Sequence, residues 1–163
     1  MARFTLICFL FVALLIPASA FAEVGPGDKP TYTATTLDGE KVSSTELRGK
    51  VVLVDFWATW CAPCKESFPF YSKLAKEYED DLVVLAVSLD GSRKEARKFM
   101  EGKGYAFTVA WHPKHPVVKT FGPSIFPTSY LIDRNGVVRH VHTGFDDETR
   151  KQTENEVKAL VGQ

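Results

Sequence analysis

The sequence predicts an α/β domain, a central mixed β-sheet flanked by helices. Three observations carry that expectation. Val51–Trp57 (VVLVDFW) and Leu82–Ser88 (LVVLAVS) are continuous apolar runs of strand length, the pattern of strands buried on both faces at the centre of a parallel sheet. Each run is followed by a stretch with helical periodicity, so strand and helix alternate. Near the C-terminus, Thr128–Asp133 and Val137–Thr143 flank Arg134-Asn135-Gly136 and read as an antiparallel hairpin, which makes the sheet mixed.

In chain order, Glu23–Pro30 is rich in Gly and Pro and reads as a linker. Thr31–Thr36 alternates weakly as a strand, and Asp38-Gly39 signals a hairpin turn after it. After the first apolar run, Pro63 suits the first turn of a helix. Phe68, Tyr71, Leu74, Ala75 and Tyr78 then recur at helical spacing as core positions. Ser92 with Glu95 resembles a capping box, and Ala96, Phe99 and Met100 extend that helix until Gly102 and Gly104. Phe107–Trp111 reads as a short strand and Pro116–Phe121 as a short helix. Asp146 or Asp147 starts a last helix, with Val157, Leu160 and Val161 on its apolar face.

The N-terminus reads as a secretory signal peptide. Arg3 precedes an apolar stretch from Phe4 to Ile16, and Pro17-Ala18-Ser19-Ala20 supplies small residues at a cleavage spacing. The stretch is short of the roughly 20 apolar residues of a spanning helix. Cleavage after Ala20 or Ala22 removes Cys8 and leaves about 140 residues, one domain with one core. The expected organisation is a leader over residues 1–22 and a single domain over 23–163. With 20 basic and 20 acidic residues and no basic stripe, nothing points to nucleic acid.

Past the leader only Cys61 and Cys64 remain. A domain stapled by disulfides carries more cysteines, spread along the chain. A close pair where a buried strand meets a helix reads instead as a reactive pair. The first turn of a helix has free backbone N–H groups and a positive dipole end, which stabilise a Cys61 thiolate. The thiolate attacks disulfides, and Cys64, one turn on, resolves the mixed disulfide. Such a pair carries two electrons by itself, so neither cofactor nor metal is expected. The zinc alternative needs two more ligands; His112 and His115 are far away and spaced unlike a zinc finger.

Trp57-Ala58-Thr59-Trp60-Cys61-Ala62-Pro63-Cys64-Lys65 resembles the active-site stretch of thioredoxins. The N-terminal hairpin, Pro69, and the segment from Asp90 to Phe121 resemble the exported TlpA/ResA-like branch of that superfamily, over about residues 27–161. The resemblance implies a thioredoxin-like fold with an N-terminal hairpin and a βα insertion. It implies a cis-proline at Pro127, with the Phe126 backbone left free to pair with an extended substrate. Trp60, Ala62, Pro63 and Phe126 then form the substrate contact, while Trp57 packs. Asp55, a costly charge inside an apolar strand, matches the buried Asp of thioredoxins and is expected to move a proton to or from Cys64. One departure stands out: ResA-like proteins often carry a Glu three residues after the second cysteine, where this chain has Ser67. Glu66 points about 100° away on a helix, so that role is not transferred, and the link to cytochrome c maturation weakens.

The resemblance implies thiol–disulfide exchange with protein substrates, as a reductant recharged by a membrane electron transporter, in a bacterial periplasm. Three alternatives stand beside it. A disulfide-forming oxidant uses the same pair. A thiol peroxidase needs a different cysteine environment from Trp-Cys-Ala-Pro-Cys. A Cu(I) carrier draws on the same soft thiolates. His140 and His142 share a strand face, with no third metal ligand evident, and are expected to be ordinary exposed strand residues.

Overall fold

Seven-residue apolar runs cannot face water on either side, so they take the centre of the sheet. The computed structural model describes residues 23–111 and 116–163. The expected leader, Cys8, His112 and His115 lie outside the described residues. In chain order the elements are β1 (Thr33–Thr35), β2 (Lys41–Ser43), β3 (Val51–Trp57), α1 (Ala62–Glu77), β4 (Leu82–Ser88) and α2 (Arg93–Met100). Then come β5 (Thr108–Trp111), α3 (Pro116–Phe121), β6 (Thr128–Ile132), β7 (Val138–Thr143) and α4 (Asp147–Val161). Among the described residues no helix is long and apolar enough to cross a membrane.

The main sheet has five strands in the order β5-β4-β3-β6-β7. β3 pairs parallel with β4, and β4 with β5, while β6 runs antiparallel to both β3 and β7. The sheet is therefore mixed, as expected, with its parallel part built from two crossovers through α1 and α2. The expected first strand shortens to three residues and pairs with β2 in a separate two-stranded hairpin. Gly39 turns that hairpin with φ of 95°, a conformation that favours glycine.

Alternation along β3 divides the core. Leu53 and Trp57 join Cys64, Phe68, Tyr71 and Leu74 of α1 and Val157 and Leu160 of α4 on one face. Val52, Val54 and Phe56 pack on the other, against Tyr32, Val117, Phe121 and Tyr130. Asp55 has the parity of Leu53 and Trp57, so its side chain enters the α1 side.

The helix ends follow their sequences. Asp146 caps α4 by accepting from Thr149 N at 2.7 Å. Ser92 caps α2 by accepting from Lys94 N at 3.2 Å, while Glu95 makes no return bond, so the expected box is one-sided. The hairpin between β6 and β7 turns where the Asp133 carboxylate accepts from Asn135 N and Val137 N, both at 2.9 Å. α2 also holds the N-terminal hairpin: Arg93 Nε donates to Leu37 O at 2.9 Å, and the Arg97 guanidinium reaches the same carbonyl. The isolated bridge between Thr36 and Ala110 then covers part of the outer edge of β5.

Candidate active site

β3 ends at Trp57, and after four intervening residues α1 begins at Ala62. Cys61 is the N-cap of α1, with extended backbone (φ −87°, ψ 105°), and its sulfur accepts from Cys64 N at 3.3 Å. Pro63 fills the first turn, where a missing N–H costs no helical bond. Cys61 and Cys64 form a disulfide with their Cα atoms 5.4 Å apart. Cys61 sits at the surface edge, 5% exposed, while Cys64 is wholly buried. That asymmetry gives them different tasks: an outside disulfide reaches Cys61 first, and Cys64 meets only what Cys61 has already bonded.

Around this opening, Trp60 is 68% exposed, an unusual position for an indole unless it meets a partner. Its ring meets the edge of Phe126 at 6.1 Å between centroids. The Phe126–Pro127 peptide bond is cis, the geometry the resemblance implies. No backbone-to-backbone hydrogen bond of the described residues involves Phe126 outside the regular elements. Ile125, the residue before it, is 58% exposed, an exposed apolar side chain that sequence periodicity does not announce. Ala62 and Pro63 are exposed and bring no charged or polar side chain to Cys61. Trp57 is buried as expected, edge-on to Phe68 at 4.9 Å, and its indole nitrogen has no hydrogen-bond partner.

Below the disulfide lies a polar pocket in an otherwise apolar layer. Asp55 is fully buried, and neither carboxyl oxygen has a partner in good hydrogen-bond geometry. Burial pushes its acid well above the ordinary carboxylate range, and a looser approach of the Tyr71 hydroxyl pulls it partly back. Ser129 faces Asp55 across the β3–β6 pair. Ser67, where ResA-like proteins often have Glu, is buried and donates to Cys64 O at 2.8 Å. The buried acid of this site is therefore carried by the strand, on Asp55, and the helix supplies a hydroxyl in place of a second carboxyl.

Asp90 also belongs to the site, although no local pattern marked it. It follows β4 and is 1% exposed. Its carboxylate accepts from Thr59 N at 3.0 Å, Thr59 Oγ1 at 2.7 Å and Ser88 Oγ at 2.8 Å. Trp111 Nε1 donates to its carbonyl at 2.8 Å. Asp90 so pins the turn that presents Trp60 and Cys61. The signal in the sequence is an acid closing a buried strand; the partner, 31 residues earlier, is visible only in three dimensions.

The histidines of β7 need a correction. His140 Nδ1 lies 3.1 Å and His142 Nε2 2.6 Å from the two oxygens of Glu156, and the His142 side chain is only 12% exposed. They are docked against α4 rather than ordinary exposed strand residues, because Glu156 turns its carboxyl back to the sheet.

Residues 27–141 match the AhpC/TSA family model. The chain is 37% identical over 131 residues to the thioredoxin-like protein YneN of Bacillus subtilis, covering 78% of this chain and 75% of that one. It is 31% identical over 134 residues to the thiol–disulfide oxidoreductase ResA of Bacillus thuringiensis, covering 82% and 76%. A crystal structure described as a putative thiol:disulfide interchange protein DsbE from Chlorobium tepidum superposes with a TM-score of 0.79 at 34% identity, covering 86% of this chain and 99% of that one. With the Cys61–Cys64 disulfide at the start of α1, these likenesses place the chain in the AhpC/TSA family, in the TlpA/ResA-like branch of the thioredoxin superfamily, as a thiol–disulfide oxidoreductase.

Proposed function

We propose that the protein works as an exported, periplasmic reductant of protein disulfides, recharged by a membrane electron transporter, with apocytochrome c among the candidate substrates. The observation that carries the direction is the sparse support around the Cys61 sulfur. Strong oxidants of this kind draw their power from a stabilised reduced thiolate. Here the sulfur receives one backbone N–H, from Cys64. The intervening Ala62 and Pro63 add no cation and no side-chain donor. A helix N-terminus favours an anion, which suits an attacking thiolate, while the absence of added side-chain donors argues against a strong oxidant. The leader-like N-terminus and the likeness to ResA support export and a reducing role.

In the reducing direction the Cys61 thiolate attacks a substrate disulfide and expels one substrate thiolate, forming a mixed disulfide. Cys64 then loses its proton, with Asp55 as the acceptor, and attacks the Cys61 sulfur. The Cys61–Cys64 disulfide forms and the second substrate thiolate leaves. An extended substrate segment pairs with the Phe126 backbone beside Pro127, and its apolar side chains rest on Trp60. Cys64→Ser halts the cycle at the mixed disulfide, so it should accumulate covalent adducts with disulfide-bearing exported proteins that wild type does not retain. Adducts formed only when the variant starts as a disulfide-loaded mixed species with glutathione, and never from its thiol, would contradict the reducing direction.

A further inference from the structure

α1 presents a polar stripe to the sheet. Cys64, Ser67 and Tyr71 lie three and seven residues apart, on one face of the helix. All three are buried, Tyr71 at 2% exposure. They meet the side of β3 that carries Asp55, and Ser129 closes the group from β6. A tyrosine at this depth has a ring that packs, here against Phe70 and Phe145, and a hydroxyl that needs polar neighbours. The neighbours of the Tyr71 hydroxyl are Asp55, Ser67 and Ser129.

We propose that Tyr71 is a positioning residue for the resolving step: its hydroxyl turns the Asp55 carboxylate toward Cys64 and donates to it while Asp55 takes the Cys64 proton. This rests on the reading of Asp55 as that proton acceptor. The titratable groups on the α1 side of Asp55 are Tyr71, Cys61 and Cys64; β4 contributes Ala86 alongside and β6 contributes Ser129. Asp55 therefore has one source of support for its charge. Burial disfavours the carboxylate, and among the described residues the phenol is the group that favours it. Burial and the nearby Asp55 charge push the phenol itself well above its ordinary range, so it stays a donor throughout. Ser129 is placed to donate to the phenol oxygen from β6, while Ser67, its proton given to the Cys64 carbonyl, lines the group from the helix. The arrangement offsets the absence of a second carboxyl on α1.

The electron balance is that of the known exchange. Cys64–SH gives its proton to the Asp55 carboxylate, the Cys64 thiolate bonds to the Cys61 sulfur, and the outgoing thiolate leaves with the electron pair of the mixed disulfide. Tyr71 neither gains nor loses a proton. Its loss slows only the step in which Cys64 is deprotonated.

The test uses the reduced protein and 5,5′-dithiobis(2-nitrobenzoate), which separates the two attacks. Cys61 releases the first nitrothiobenzoate and Cys64 the second, and stopped-flow absorbance reads both across pH. Tyr71→Phe keeps the ring and removes the hydroxyl. The first release should keep its rate and pH profile. The second should move its midpoint upward by about one pH unit, a slowing of about tenfold below the midpoint. Asp55→Asn should remove that titration, and Tyr71→Phe added to Asp55→Asn should have no further effect. If Asp55→Asn removes the titration while Tyr71→Phe leaves the profile in place, Asp55 is the acceptor and the Tyr71 role is wrong. If the two releases slow equally in Tyr71→Phe, the residue is structural and the proposal is overturned. If Asp55→Asn leaves the titration unchanged, the Asp55 reading fails and the Tyr71 role with it.

Discussion

Asp90→Ala tests how the reactive turn is held. In the native protein three donors converge on one buried carboxylate: the Thr59 N–H, the Thr59 hydroxyl and the Ser88 hydroxyl. A hydrogen bond to a charged group contributes about 1.5–3 kcal/mol, and a buried donor left unpaired costs a comparable amount. Water entering beside the half-buried Thr59 offsets part of this, which leaves a net loss of about 3–4 kcal/mol. Domains of this size have about 5–15 kcal/mol in hand, so the variant folds and its stability is measurable. Asp90→Asn keeps one acceptor oxygen and should cost about 1–2 kcal/mol. Thr59→Val removes one hydroxyl donor, and its effect should shrink in the Asp90→Ala background because the two share a bond. Urea unfolding of the disulfide form, followed by tryptophan fluorescence, gives all four values. The midpoint should fall with an unchanged slope. A loss within about 0.5 kcal/mol of wild type for Asp90→Ala, or additive effects with Thr59→Val, would refute the assignment of the carboxylate as the anchor of the turn.

Other consequences concern the pH response, the surface and the core. The Asp55 acid is raised by burial, so the unfolded state binds fewer protons than the folded state above the ordinary carboxylate pKa. Stability contributed at Asp55 is therefore greatest at acid pH and declines as pH rises from 3.8 toward the raised folded value. Asp55→Asn should flatten that decline in a pH series of urea midpoints; a wild-type series already flat above pH 4 would contradict it. Trp60→Ala, at a site 68% exposed, should leave stability within about 0.5 kcal/mol while slowing reduction of a folded protein disulfide more than of a small disulfide. Phe68→Ala empties a position in contact with Trp57, Phe99, Tyr105 and Phe107 and should cost about 3–5 kcal/mol in the same unfolding measurement.

Much of the architecture was legible because it is written in local patterns. Val51–Trp57 and Leu82–Ser88 match β3 and β4 residue for residue, since an apolar run of strand length leaves few other solutions. Pro116–Phe121 is α3 as expected, and Asp146 caps α4 because its short side chain reaches Thr149 N. The cysteine pair at a strand-to-helix junction was equally plain. What stayed hidden depends on partners far away in the chain. Asp90 looks like an ordinary turn acid until Thr59 is brought to it. Tyr71 has the spacing of a core residue, which its ring is; only the fold brings Asp55 and Ser129 to its hydroxyl. His142 looked exposed because strand alternation says nothing about Glu156 on α4. The hold of Arg93 and Arg97 on the Leu37 carbonyl is likewise a long-range contact that leaves no mark in local periodicity.

The reduction potential of the Cys61/Cys64 pair, equilibrated against defined thiol buffers and read by alkylation of the free thiols, tests the account most directly. Sparse thiolate support at Cys61 predicts a value close to that of thioredoxin, about −270 mV. A value close to about −120 mV, the range of a strongly oxidising exported protein, would contradict the reducing role and assign the same pair to disulfide formation.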